Sequence, residues 1–268
     1  MEKEMIESSA NGHVRKIQKL MKNARFRRQE QAFVVEGWKM TAEALKRHLV
    51  ECIYLSESSC QEYERRLEAG DLVVPGGTAV EIVADRCFRG IADTVNPQGI
   101  LAIVRMPQYD REQILVSFDT AVLCLEDIQD PGNLGTMLRT AEGAGMSALI
   151  LSKGCVDLFN PKVVRATMGA LFRMPFLICE DMTTEVEFLK QYGFTIYAAH
   201  LEAVGDFREE KYEGKTAILI GNEGNGLSDA VSQRADHLVR IPMEGELESL
   251  NAAVSAALLM YEVYRRRN

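Results

Sequence analysis

The chain has 268 residues, 47% of them hydrophobic, and a formal net charge of −8. That length sets two ordinary cores as the natural expectation, and the acidic balance argues against non-specific nucleic-acid binding by the protein as a whole. The first residues are charged with no apolar targeting core, and no apolar run approaches ~18 residues, so neither secretion nor a membrane span is expected.

Six cysteines show no C-x-x-C pattern and no spacing shared with the four histidines. Zinc and disulfide frameworks are therefore weak readings, and reduced thiols in a cytoplasm fit better.

In chain order, residues 14–29 read as a first helix. Between Arg15 and Arg28 lie seven basic residues (Arg15, Lys16, Lys19, Lys22, Arg25, Arg27 and Arg28) and no acidic one. Such a run is either a solvated helix face or a phosphate-contacting surface. Residues 32–36 follow as a strand, 40–48 as a helix, 50–55 as a strand, 60–69 as a helix and 72–74 as a third strand. Residues 79–94 read as helix and 99–104 as strand. Alternating β and α elements predict a small α/β domain over residues 1–105. Residues 106–118, with Pro107 and polar residues between regular patterns, read as a linker.

A second α/β pattern fills residues 119–268. Strands are expected at 121–125, 148–151, 175–179, 195–199, 217–220 and 238–241, and their near-continuous apolar runs suit parallel strands covered on both faces. Helices are expected at about 134–144, 161–171, 184–192, 228–235 and 250–265.

Ligands of parallel α/β sheets gather beyond the carboxyl ends of the strands. After the first strand, Pro131-Gly132 turns the chain and Asn133 is placed to cap a helix whose buried stripe is Leu134, Met137, Leu138 and Ala141. Arg139 lies off that stripe. The fifth strand ends in Gly221-Asn-Glu-Gly-Asn-Gly226, where glycines let the backbone approach a flat ligand and Glu223 is the one acid. A flexible loop is the competing reading. Asn160-Pro161 is a cap followed by proline at the first helical position, and Arg165 reaches toward the same rim. The last strand runs through Ile241-Pro242 into an alanine-rich helix, with Ser249 as expected N-cap. Leu250, Val254, Ala257, Leu258 and Tyr261 share one face.

The ordered set N-x-G-x-x-x-R (Asn133, Gly135, Arg139), G-N-E-G-N-G (221–226) and I-P-M-x-G-x-x-x-S-L-N (241–251) resembles the three motifs of the SpoU/TrmH branch of the SPOUT RNA 2'-O-ribose methyltransferases. Each motif alone is a weak signal; three in this order and spacing carry the resemblance over about residues 118–268. Residues 14–105, with Phe33-Val-Val-Glu-Gly37 and Asn96-Pro-Gln-Gly-Ile100, resemble the substrate-binding domain many members carry, an α/β module similar to RNA-binding ribosomal proteins.

The resemblance implies a C-terminal SPOUT parallel-sheet domain with a trefoil knot, S-adenosyl-L-methionine as methyl donor, RNA as substrate with ribosomal RNA preferred over transfer RNA, and a homodimer through the C-terminal domain. It places Asn133, Arg139, Glu223, Ser249 and Asn251 in the catalytic site, and Gly221, Ile241 and Leu250 against the cofactor. Arg15, Lys16, Lys19, Lys22, Arg25 and Arg165 are then candidates for RNA contact. No metal is implied. A catalytically silent RNA-binding protein and a different nucleotide-binding α/β enzyme are the rival readings.

Overall fold

The structure is a computed structural model and describes residues 5–268. Residues 1–4, part of the charged start considered above, lie outside the described residues. The chain divides into two compact units, Met1–Gln108 with Phe159–Phe172, and Tyr109–Leu158 with Arg173–Asn268. This differs from a single cut in chain order, because the segment 159–172 groups with the first unit.

In the first unit, α1 (Gly12–Lys22) buries Val14, Ile17 and Leu20 at helical spacing, and Asn11 caps it by accepting from the His13 amide. The single helix expected over 14–29 is broken at Asn23. Its backbone is extended (φ −127°, ψ 105°) and its side chain caps α2 (Ala24–Glu30) by accepting from Phe26 N at 3.0 Å. Asparagine offers this local bond more readily than it continues a helix.

The elements β1 (Ala32–Glu36), α3 (Trp38–Lys46), β2 (Val50–Ser56), α4 (Cys60–Glu68), β3 (Ala79–Val83), α5 (Asp85–Arg89) and β4 (Ile100–Arg105) follow. The sheet order is β1-β4-β2-β3, with β4 antiparallel to both neighbours and β3 parallel to β2. Two expectations fail here. Residues 72–74 form no strand, and Ala79–Val83, read as the start of a helix, is an edge strand registered Ile53↔Val80.

The second unit holds α6 (Arg111–Leu115), β5 (Ala121–Leu125), α7 (Pro131–Gly143) and β6 (Ala148–Ser152). Next in sequence is α8 (Pro161–Ala166), which groups with the first unit, where Phe159 and Phe172 stack against Phe33 at 4.8 and 6.1 Å. Back in the second unit come β7 (Phe176–Cys179), α9 (Met182–Gln191), β8 (Thr195–Ala199), β9 (Gly205–Asp206), β10 (Thr216–Ile220), α10 (Asp229–Ser232), β11 (His237–Arg240) and α11 (Ala252–Arg267). Their sheet is parallel throughout, in the order β7-β6-β5-β10-β8-β11-β9. Every residue of β5, β6 and β10 is buried, as a sheet covered on both faces requires. The two-residue β9 has no apolar run to announce it.

Both helix caps expected around the site are displaced. Asp130, not Asn133, caps α7, with Pro131 at its first turn, and Asn251, not Ser249, caps α11. The apolar face of α11 read from the sequence is largely not its buried one. Its buried residues include Ala253, Ala256, Leu259, Met260 and Val263, while Val254, Leu258 and Tyr261 are 47, 39 and 50% exposed. Among the described residues no helix is long and apolar enough to cross a membrane, no cluster could hold a metal ion, and all six cysteines are free.

Candidate active site

The turn after β5 and the loop after β10 are fastened to each other. Asp130 Oδ1 accepts from Asn133 N at 2.8 Å, which fixes the first turn of α7. Glu223, in the loop after β10, then accepts from Asp130 N and Gln129 N, each at 3.0 Å, and from Asn133 Nδ2 at 3.0 Å. Partial burial pushes the Glu223 carboxyl up, but the bonds from Asn133 and the two backbone amides outweigh it and hold it below the ordinary carboxylate range.

Hydrogen-bond polarity propagates from that carboxylate. A carboxylate can only accept, so Asn133 must turn its NH2 toward Glu223 and its carbonyl oxygen away. That oxygen accepts from Asn251 Nδ2 at 2.9 Å. Asn251 Oδ1 in turn accepts from Ala253 N at 2.9 Å and Val254 N at 3.3 Å, the first free amides of α11. One directed chain, Glu223 to Asn133 to Asn251, thus joins the three sequence motifs and ends on a helix cap.

Arg139, two turns along α7 from Asn133, is exposed and makes no hydrogen bond or ion pair with any described residue. A guanidinium left exposed and free is available to an anion. Ser249 is exposed and likewise without a partner.

The loop after β10 is built by close backbone approach. A Cβ on Gly221 would lie 2.1 Å from the Gly226 carbonyl carbon and from Leu227 N, so only glycine fits. Asn222 and Gly226 exchange backbone bonds at 3.0 and 2.9 Å, and Asn222 Oδ1 accepts from Gly224 N and Asn225 N. The glycine run therefore folds the loop onto itself, and four of its amides, those of Asn222, Gly224, Asn225 and Gly226, are satisfied internally. Asn222 Nδ2 and Ser228 tie the loop to the β5 turn through Asp127 O and the Glu126 carboxylate, all at 2.8 Å. Glu126, Asp130 and Asn222 were not singled out from the sequence. Their positions beside the motifs, each a polar residue at a strand end or turn, were the available signal.

A cavity of about 350 Å³ opens beside this loop, lined by residues including His200, Gly221, Glu223, Ile241, Ser249 and Leu250. It gathers all three expected cofactor-contacting positions with Glu223 and Ser249. Asn133 and Asn251 instead line a neighbouring, mainly apolar groove of about 410 Å³ with Val254, Leu258 and Tyr261. The size of the cavity and its strand-end backbone suit a nucleoside-sized ligand. The charged residues of the lining are Glu202, Glu223, Glu248 and Arg240.

In the first unit, Arg15, Lys19, Lys22 and Arg25 are exposed, Lys16 is paired with Glu30 at 3.3 Å, and Arg165 is paired with Asp93 at 2.5 Å. Arg27, counted in the basic run, is buried and donates to Leu20 O and Met21 O at 2.6 and 3.1 Å, closing the end of α1.

Residues 120–261 match the model of the SpoU rRNA Methylase family, and residues 11–102 match an MRM3-like substrate binding domain. A 23S rRNA (guanosine(2553)-2'-O)-methyltransferase of Bacillus subtilis is 33% identical over 259 residues, covering 96% of this chain and 98% of the relative. A putative TrmH family tRNA/rRNA methyltransferase of Staphylococcus saprophyticus is 35% identical over 195 residues, 70% and 78% of the two chains. Among solved structures, an AdoMet-bound rRNA methyltransferase from Sinorhizobium meliloti superposes with a TM-score of 0.84 at 28% identity, covering 98% and 97%. With a family match across more than half its length and its three motifs joined in one hydrogen-bonded site, the chain belongs to the SpoU rRNA methylase family.

Proposed function

We propose that the protein transfers the methyl group of S-adenosylmethionine to a ribose 2'-hydroxyl of structured RNA, with ribosomal RNA as the substrate class. The observation that carries this reading is the directed chain Glu223–Asn133–Asn251, whose Glu223 end lines the strand-end cavity. The Bacillus subtilis relative, matched almost end to end and named as a 23S rRNA methyltransferase, favours ribosomal RNA. Transfer RNA is the second reading, favoured by the Staphylococcus saprophyticus relative whose name covers both substrates.

Gly221, Ile241 and Leu250, which line the strand-end cavity, would hold S-adenosylmethionine, which when bound would supply an electrophilic methyl group on a sulfonium. The residues of the chain supply position, since in-line displacement depends on holding two reactants in register. The hydroxyl must also lose a proton. A guanidinium such as that of Arg139 is a poor proton acceptor, and Glu223, held below the ordinary range by three donors, is a weak base. Arg139 therefore binds the adjacent phosphate and stabilises the developing alkoxide, while the proton leaves to phosphate or water. Ser249 and Asn251 face the ribose. Nearly full single-turnover rate in Arg139→Lys with RNA bound normally would contradict this role.

Domain roles follow: the first unit chooses the RNA, and the second carries the chemistry. The exposed stripe Val254, Leu258 and Tyr261 supports a homodimer through α11, and the interleaved order of β8, β10 and β11 in the sheet is compatible with a trefoil knot around the loops after them. The site of action is the cytoplasm. Comparing 2'-O-methyl positions in total RNA with and without the gene tests the function: a ribosomal position that loses its methyl group supports it, and an unchanged map contradicts it.

A further inference from the structure

On the reading that the first unit binds RNA, we propose that Trp38 is a stacking platform for one unpaired base of that RNA. Trp38 is the only tryptophan of the chain and stands partly exposed at the start of α3. The guanidinium carbon of Arg66 lies 4.9 Å from its ring centroid, and Glu62 fixes that guanidinium by accepting from Nε at 2.6 Å. A cation on one face of an indole holds the ring in place and leaves it able to stack on another.

The surroundings are built to keep this ring where it is. Gly37 has φ +95°, and a Cβ there would meet Gln98 Oε1 at 2.8 Å. Gln98 Oε1 accepts from Trp38 N at 3.0 Å, and Glu36 accepts from Asp93 N at 2.7 Å and from the Thr94 hydroxyl. The loop 93–98 is therefore anchored at both ends to the turn that carries Trp38. Between the anchors Val95 is 96% exposed, an apolar tip that adds nothing to the core. Lys39, next in sequence, is exposed and has no ion pair among the described residues, so it is free for a phosphate.

An aromatic ring, a stacked guanidinium, a fixed apolar tip and a free lysine match an unpaired nucleotide better than a duplex. A-form helices keep their bases stacked inside and offer phosphates and 2'-hydroxyls, whereas loops and bulges expose base faces to aromatic side chains. The platform does not depend on base identity, because every base has a π-face.

Since Trp38 is the sole indole, the fluorescence of the full-length wild-type protein reads this site directly. The titrants are a ribosomal RNA hairpin with an unpaired loop and a fully paired RNA duplex of equal length, without S-adenosylmethionine. Quenching is expected with the hairpin and not with the duplex, and Trp38→Ala is expected to weaken hairpin binding roughly ten- to hundred-fold. Trp38→Phe, which keeps an aromatic face, is expected to restore most of that affinity. Hairpin binding with unchanged fluorescence, equal quenching by both RNAs, or full affinity in a folded Trp38→Ala variant would overturn the proposal. Methyl transfer by the wild-type protein is measured in parallel. Transfer without quenching removes the platform and leaves the function, and quenching without transfer does the reverse.

Discussion

Asn251 donates its side-chain amide to Asn133 Oδ1 at 2.9 Å while its own oxygen caps α11. One residue thereby sets the direction of the active-site chain and starts the last helix, so the site cannot reorient without loosening the helix. The position separates chemistry from stability. Asn251→Asp keeps a good cap, because aspartate is as favourable there as asparagine, whereas Asn251→Ala loses about 1 kcal/mol. The aspartate presents no donor to Asn133, however, and sets two acceptors against each other. We expect Asn251→Asp to melt within a few degrees of wild type by calorimetry and to lose ~10-fold or more in single-turnover methyl transfer, as loss of an oriented active-site hydrogen bond does.

Gly221→Ala places a methyl group 2.1 Å from backbone at Gly226 and Leu227, where no flexible side chain can give way. The loop after β10 must open, at a cost of ~1–3 kcal/mol. Titration calorimetry should show S-adenosylmethionine affinity falling with stability; unchanged affinity would detach this loop from the cofactor cavity.

The Glu223 carboxyl titrates below its ordinary value of 4.5. Its ionised form therefore stabilises the fold above pH 4.5, and the contribution disappears as pH falls through the lower folded value. Chemical denaturation of wild type and Glu223→Gln should give a stability gap that is constant near neutrality and narrows in acid. A gap that widens in acid would mean the carboxyl is protonated in the native chain.

On the first unit, Arg15, Lys19, Lys22 and Arg25 are exposed, while Lys16 and Arg165 already have carboxylate partners. Each lost phosphate contact lowers the slope of log affinity against log salt by ~0.7–0.9. Neutralising Lys19 and Lys22 should flatten the salt dependence of RNA binding more than neutralising Lys16 and Arg165, with S-adenosylmethionine affinity unchanged. Equal effects would make the ion pairs irrelevant.

Val254, Leu258 and Tyr261 form an exposed apolar stripe beside Asn251. A stripe of this kind on one helix is what self-association covers. Leu258→Asp should shift the protein from dimer to monomer in analytical ultracentrifugation and reduce methyl transfer. A wild-type monomer at micromolar concentration would contradict the dimer.

The candidate site is legible in the sequence as a cluster because its residues fall in three short motifs, and the structure joins Asn133 by hydrogen bonds to Glu223 and to Asn251. Their detailed roles were less so. Asp130 and Asn251 outcompete Asn133 and Ser249 as caps, because any of several neighbouring polar residues satisfies the capping rule and only the backbone path chooses among them. The exposure of the stripe on α11 is not legible, because periodicity shows that residues share a face without showing what that face meets. Strand β3 was missed because five apolar-rich residues fit either a strand or a helix start, and its pairing partner β2 lies more than twenty residues away. The grouping of 159–172 with the first unit depends on Phe33, Phe159 and Phe172 meeting, which no local pattern announces.

The central claim is that the group methylated is a ribose 2'-hydroxyl. Incubating the purified protein with ribosomal RNA and methyl-labelled S-adenosylmethionine, then digesting to nucleosides and separating them by mass spectrometry, tests it most directly. Label is expected in a 2'-O-methylnucleoside, and none when the target position carries a 2'-deoxyribose. Label on a base, or binding of S-adenosylmethionine with no transfer to ribosomal or transfer RNA, would contradict it.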